Sequence, residues 1–214
     1  MRTIIAILCL VACLQACYQT HIGSTSDYRI DETIKRQVEG VISEGELGGE
    51  MGGILAYENL LIADYYLEDS LMVSLRNEEN RLPFKSFFYT QGDTLSIDGA
   101  YGLFGGFGFS IKFIDNRPIV YHLLAGDEFP VYSMTETGEL QLRIEVPCTN
   151  TKLTLSKEPE LKESEILYGV VEFESKDYYQ GLGEIHGMEA KRRDRIRMDM
   201  KIYFKSKYLD LNKM

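Results

Sequence analysis

The tightest grouping of side chains able to do chemistry is Glu184-Ile185-His186-Gly187-Met188-Glu189. His186 and Glu189 share a face if the segment is helical, and Glu184 and His186 share one if it is extended. Carboxylates and an imidazole are metal ligands in kind, and Asp177 is the nearest further candidate. Gly181, Gly183 and Gly187 surround the group and its spacing matches no zinc signature, so a solvated loop accounts for the same residues more simply. His122 shares the face of an alternating stretch with Val120 and Leu124. As a general base it would need a partner within hydrogen-bond reach, and a half-buried, hydrogen-bonded imidazole is the default. No P-loop, G-x-S-x-G elbow, H-E-x-x-H or C-x-x-C occurs in the body of the chain. Catalytic groups can still assemble in space, so a hydrolase or metal-dependent enzyme using His122 or the Glu184/His186/Glu189 loop stays open as the second reading. The balance lies with a protein that is not an enzyme, and no cofactor is implied.

Two other segments have the composition of binding surfaces. In Gly99-Ala100-Tyr101-Gly102-Leu103-Phe104-Gly105-Gly106-Phe107-Gly108, the aromatics Tyr101, Phe104 and Phe107 could form a rim offered to an apolar ligand or partner. The same glycines also suit a sharp bend or bulge at a sheet corner. The run Lys191-Arg192-Arg193-Asp194-Arg195-Ile196-Arg197 concentrates positive charge, and alternation sends Arg195 and Arg197 to the surface. An anionic ligand or acidic partner would suit them, as would pairing with neighbouring acidic strands such as the one holding Glu172 and Glu174.

The chain has 214 residues, 23 Lys+Arg against 33 Asp+Glu, and a net charge of −10. That length fits one domain with an ample core. The acidic balance speaks against nucleic acid, whose phosphates need a basic surface.

The first 17 residues, MRTIIAILCLVACLQAC, set Arg2 ahead of an apolar stretch from Ile4 to Ala16 that only Gln15 interrupts. As a helix this stretch rises about 20 Å, short of the roughly 30 Å hydrocarbon core, so an export signal fits better than a membrane span. Small residues precede a cysteine twice, in Leu10-Val11-Ala12-Cys13 and Leu14-Gln15-Ala16-Cys17, and both resemble the lipobox of bacterial lipoproteins. The resemblance implies acylation at Cys17, with Cys13 as the alternative, and anchoring by lipid to the cell envelope. Cys17 leaves an apolar region of the usual length, whereas Cys13 leaves a short one. Tyr18 to Asp27 is polar and aperiodic, as a tether should be. Tyr18-Gln19-Thr20 lacks both the acidic cluster of surface display and the Asp of inner-membrane retention, which points by resemblance to the outer membrane, facing the periplasm. With Cys17 acylated, Cys148 of the body has no disulfide partner; processing at Cys13 would leave a Cys17 to Cys148 bond open.

These residues must be positioned by the elements that follow. Ile34, Val38 and Val41/Ile42 recur at helical spacing behind Asp31-Glu32, which predicts one amphipathic helix over 31–43. From Ile54 onward alternation takes over, clearest in Phe107-Phe109-Ile111-Phe113, Leu140-Leu142-Ile144-Val146 and Ile196-Met198-Met200-Ile202-Phe204. Weaker runs at 60–67, 71–76, 84–90, 94–98, 119–124, 151–156 and 166–175 bring the total to roughly ten strands. Asp115-Asn116, Gly92 and Thr137-Gly138 mark turns, the last with its glycine expected at positive φ. No crossover helix separates the strands, so the expectation is all-β: an antiparallel sandwich or open barrel with one N-terminal helix. The domain layout is a signal at 1–16, the lipidated cysteine and tether at 17–27, and a single β-rich domain at 28–214. The function expected is that of an envelope-anchored, non-catalytic binding or assembly module. Its partners would be the membrane through the lipid, and an envelope protein or small ligand. A third reading is a structural subunit of an envelope complex, with the strand edges or the 99–108 segment as its contact.

Overall fold

A computed structural model of the chain describes residues 27–42, 59–76, 84–101, 106–162, 165–181 and 193–213. Cys13, Cys17, Phe104, Glu184, His186 and Glu189 lie outside the described residues. Within them the chain is all-β with one helix, as its alternation requires. The elements are β1 (Asp27–Ile30), α1 (Ile34–Val41), β2 (Leu60–Leu67), β3 (Ser70–Arg76), β4 (Phe84–Gln91), β5 (Thr94–Tyr101) and β6 (Gly106–Ile114). They continue with β7 (Arg117–Ala125), β8 (Tyr132–Ser133), β9 (Arg143–Leu155), β10 (Ile166–Ser175), β11 (Tyr178–Gly181) and β12 (Arg193–Tyr208). No helix among the described residues is long and apolar enough to cross a membrane.

Turn chemistry sets the hairpins. Glu68 and Asp69 join β2 to β3, and Asp115 and Asn116 join β6 to β7, all four at positive φ as two-residue hairpin loops demand. Gly92 takes φ 60° between β4 and β5. The strands β4, β5, β6, β7 and β9 then pair antiparallel in sequence order. Strand β9 passes on to β10, and β10 to β12. Strand β12 reaches β4 through Ser206↔Ser86 to Tyr208↔Phe88, in parallel. The ladder thus returns to its start, and the ring β4–β5–β6–β7–β9–β10–β12 is a closed barrel, which leaves no edge within it. Two long strands make this possible by changing neighbours along their length. β9 gives Arg143–Pro147 to β7 and Cys148–Leu155 to β10, while one edge of β12 passes from β2 to β4.

A buried polar cluster holds that last seam. Asn59 is fully buried, donates through Nδ2 to the Phe84 carbonyl at 2.9 Å, and accepts at Oδ1 from the Lys205 N–H at 2.7 Å and the Ser86 hydroxyl at 3.2 Å. The Ser206 hydroxyl donates to Ser86 Oγ at 2.8 Å. One side chain therefore ties β4 to β12 where they would otherwise part.

The interior is filled. Alternate residues of every ring strand meet in it, among them Phe84, Phe88, Phe109, Leu153, Leu167 and Phe204, all fully buried. A second, smaller cluster lies outside the barrel, where Ile34 and Val38 of α1 cover Leu60, Tyr168, Val170 and Tyr203. The helix is a lid on one outer patch of the sheet, which is the use its amphipathic spacing implied.

Several expectations change in detail. The helix begins at Ile34 because the Asp31 carboxylate accepts from both the N–H and the hydroxyl of Thr33, forming a turn in place of a first helical coil. Tether residue Asp27 already belongs to β1, which runs parallel to β9; with β4–β12 it makes the sheet mixed, not wholly antiparallel. Residues 140–142 stand outside the strand predicted there, and the runs 143–146 and 151–155 are one strand. Pro147 sits where β9 exchanges β7 for β10, and Asn150 at φ 50° lies in a bulge two residues beyond Cys148. The short strands β1, β8 and β11 carry too few residues to show a period. Gly138 is not at positive φ. Its lack of a side chain serves a close approach, since a Cβ would fall 2.5 Å from Thr135 Oγ1 and 2.6 Å from Ser133 Oγ.

Candidate binding surfaces

His122 lies on the inner face of β7 with no exposed surface, not half-buried as expected. Its Nδ1 donates to the Gly108 carbonyl at 3.0 Å, because a carbonyl can only accept. That assignment leaves Nε2 as the bare acceptor, without a partner, between the rings of Phe107 and Tyr178. Burial pushes its pKa down to about 4 against the smaller opposing pull of the Gly108 carbonyl. An imidazole so enclosed keeps its one proton bonded to Gly108 and has no surface open to solvent. Cys148 is likewise sealed in the barrel, its thiol pushed upward by burial and aimed at the Val146 carbonyl at 3.6 Å. Among the described residues, no group of three or more His, Cys, Asp or Glu is placed to hold a metal ion.

The two arginines point outward and are engaged. Arg195 meets Glu68 at 3.6 Å, Asp177 at 3.2 Å and also Asp69, while its backbone exchanges hydrogen bonds with Glu68. It is a clasp that fastens the β2–β3 turn to the start of β11, and it takes up Asp177, the fourth ligand considered for the 184–189 loop. Arg197 lies over the Tyr66 ring at 4.5 Å, with Nε 3.8 Å from Asp199. The partners differ from the acidic strand suggested by sequence because β2, not β10, flanks this part of β12 on the arginine side. Glu172 of β10 pairs with Lys201 at 2.7 Å.

Asp64, Asp199 and Glu174 stand side by side on β2, β12 and β10, in a polar trough that also includes Lys152, Glu172 and Lys201. Partial burial raises the Asp199 pKa against the pull of Arg197, with Glu174 and Asp64 adding to the rise. A folded-state pKa above the unfolded one means that this carboxylate costs nothing below the unfolded value and costs most above the folded one. Asp199→Asn is therefore expected to stabilise the domain by up to about 1 kcal/mol at pH 7, like charges being opposed across strands. The gain should shrink as pH falls toward the unfolded carboxyl value of 3.8 and vanish below it, as paired thermal melts at pH 7 and about pH 3 would show.

Tyr101 and Phe107 come together, their ring centroids 5.1 Å apart, but not as a projecting rim. Tyr101 is buried and packs edge-on against Phe84 at 6.2 Å, while Phe107 is half-buried on the inner face. Both border a groove of about 820 Å3 at the ends of β5, β6, β7 and β9, whose apolar wall includes Leu123, Leu124, Ile144 and Met134. Arg143, exposed at this groove, makes no ion pair among the described residues, whereas Glu145 is paired with Lys112 at 2.5 Å. Sequence reasoning found the two aromatics and missed Leu123 and Arg143, which the β6–β7–β9 pairing brings to the groove, and Met134, which follows β8. Phe129, Met134 and Leu142 near this end are 51%, 37% and 38% exposed.

The glycines Gly99 and Gly108 serve a close approach of strands in unbroken register. A Cβ on Gly108 would lie 1.9 Å from the Gly99 carbonyl oxygen, and one on Gly99 would lie 2.3 Å from the Phe109 ring. Strands β5 and β6 approach each other there more closely than side chains allow. Comparison with protein-family models, curated proteins and solved structures returns no match for this chain.

Proposed function

We propose that the chain is an envelope lipoprotein, anchored through Cys17 or, failing that, Cys13, whose β-barrel domain is a non-catalytic binding module. The groove at the ends of β5, β6, β7 and β9 is its ligand surface, and the ligand is an amphiphile with an apolar body and an anionic head. One observation carries this reading: an open groove of ligand size, walled by Tyr101, Phe107, Leu123 and Ile144, presents Arg143, a cation with no ion pair among the described residues. The placement of His122 and Cys148 supports a binding role, since both are enclosed by the fold. Outer-membrane attachment on the periplasmic side rests, by resemblance, on Tyr18-Gln19-Thr20 alone.

The test is titration with a fluorescent long-chain carboxylate and with the alcohol of the same chain length. Saturable binding of the carboxylate is expected, weakened about tenfold by Arg143→Gln through loss of a charge-assisted hydrogen bond. The alcohol should bind the wild type and Arg143→Gln alike, and Leu123→Glu should abolish binding of both. Absence of saturable binding, or indifference to both variants, would refute the groove as the site.

A further inference from the structure

Strand β3 is bonded, among the described residues, to β2 alone, so one row of its backbone donors and acceptors faces outward. Leu71, Met72 and Val73 on it are 54%, 58% and 43% exposed. Proteins ordinarily guard such an edge with lysine, proline or a covering loop. From Ser70 to Leu75 the strand carries no charged side chain, and Arg195 partly offsets Glu68 and Asp69 at its start, so the edge has little field with which to draw a charged partner. An uncharged apolar strand is what fits it.

We infer that β3 pairs antiparallel with β3 of a second copy of this chain, about a two-fold axis near Val73. Around that residue the segment Ser70-Leu71-Met72-Val73-Ser74-Leu75-Arg76 is close to self-complementary: Leu71 falls opposite Leu75, Met72 opposite Ser74, and Val73 opposite itself. The three exposed side chains amount to roughly 300 Å2 of apolar surface per copy, the size of a functional patch on a monomer. That is well under the about 800 Å2 per partner of a stable interface. The register shift between Tyr65 and Tyr66, which leaves Met72 as the extra residue of a bulge, also keeps the new ladder short. Such a pair is weak between free molecules. It becomes appreciable for chains confined to a membrane plane, where effective concentration replaces contact area, and to that extent it rests on the lipid-anchor reading.

The experiment uses two differently tagged full-length copies co-expressed in one bacterium, cross-linked in the cell and recovered through one tag. Wild-type copies are expected to co-purify. Val73→Lys on both copies should cut recovery about tenfold, because like charges would face each other across the axis. Val73→Lys with Val73→Glu should restore it, a rescue that only a contact of Val73 with itself predicts. Val73 is 43% exposed, so both substitutions fit the folded domain, and matching circular dichroism and melting curves confirm it. No wild-type co-purification, recovery indifferent to Val73→Lys, or failure of the mixed pair to rescue would each overturn the pairing. Fractionation of the same cells separates the two claims. Chains in the membrane that do not pair sink the pairing and leave the anchor standing. Chains in the soluble fraction sink the anchor, and the same copies, purified and concentrated, decide the pairing by the same three Val73 combinations.

Discussion

Between pH 7 and pH 4 the domain is expected to lose about 3 kcal/mol of folding stability through His122 alone, since each unit of pKa shift is worth about 1.4 kcal/mol. The imidazole protonates near 6.5 when the chain is unfolded and near 4 when it is buried. Above pH 6.5 neither state holds the proton, and stability is complete. As pH falls from 6.5 to 4 only the unfolded state takes it up, so stability drains away across that window, and below about 4 the loss is saturated. The other titratable groups around the ring do not offset it: Cys148 and Tyr178 have pKa values raised by burial and remain neutral throughout. Urea unfolding at a series of pH values should show the decline in the wild type and a shallower one in His122→Gln, whose amide can still donate to Gly108. Nitrogen NMR offers a direct check. His122 should hold its neutral, Nδ1-protonated form from pH 8 down to pH 5. A midpoint near 6.5 would mean that the imidazole is in contact with water, and would reopen its candidacy as a base.

Gly108→Ala should be among the most damaging single-methyl additions in the molecule, costing about 3 kcal/mol or more. Its Cβ would come within 1.9 Å of the Gly99 carbonyl oxygen and 3.1 Å of the Ala100 Cα, and backbone, unlike a flexible side chain, cannot step aside. Relief requires β5 and β6 to separate, which would break the register Gly99↔Phe109 and Ala100↔Gly108 and displace the carbonyl that holds His122. The loss should appear as a lower denaturation midpoint, together with a His122 resonance that titrates at higher pH because the ring is no longer fully enclosed. Gly92→Ala strains only a positive φ with open space around it and should cost about 1 kcal/mol. Equal effects of the two substitutions would show that β5 and β6 are not in the close contact described.

Where a strand wets one face and buries the other, its residues announce it. The alternation of Ile196, Met198, Met200, Ile202 and Phe204 marks a strand whose inward residues all enter the core, and the runs at 60–67 and 166–175 match the strands residue for residue. The helix was legible through Ile34 and Val38, though not its late start, because the Asp31–Thr33 turn competes locally with a helical coil. Closure was not legible. It depends on three parallel pairs between Ser86–Phe88 and Ser206–Tyr208 and on Asn59, and no period in the sequence reports a contact made across more than a hundred residues. The glycine-aromatic segment was read as either bend or surface, and it is the β5–β6 register, Tyr101 opposite Phe107, that brings the two rings to the groove. Arg143 was passed over because a single arginine at the head of a strand looks like any solvated residue until the pairing sets it beside Leu123 and Ile144. Leu71-Met72-Val73 was counted as a weak strand, and its failure to alternate was the one sign that it faces water on both sides.

The seam at Asn59 also dictates an order of events. Strand β12, last of the twelve along the chain, is the neighbour of β2, β4, β10 and β11, and the bond from Lys205 to Asn59 spans 146 residues. Contacts so remote in sequence form slowly, since the entropy of closing the intervening loop must be met first. The meander from β4 to β7 can zip up early from local hairpins, yet the barrel that its apolar face lines cannot close until Arg193–Tyr208 arrives. A chain made from its N-terminus therefore holds an unclosed half-barrel until its final strand is free.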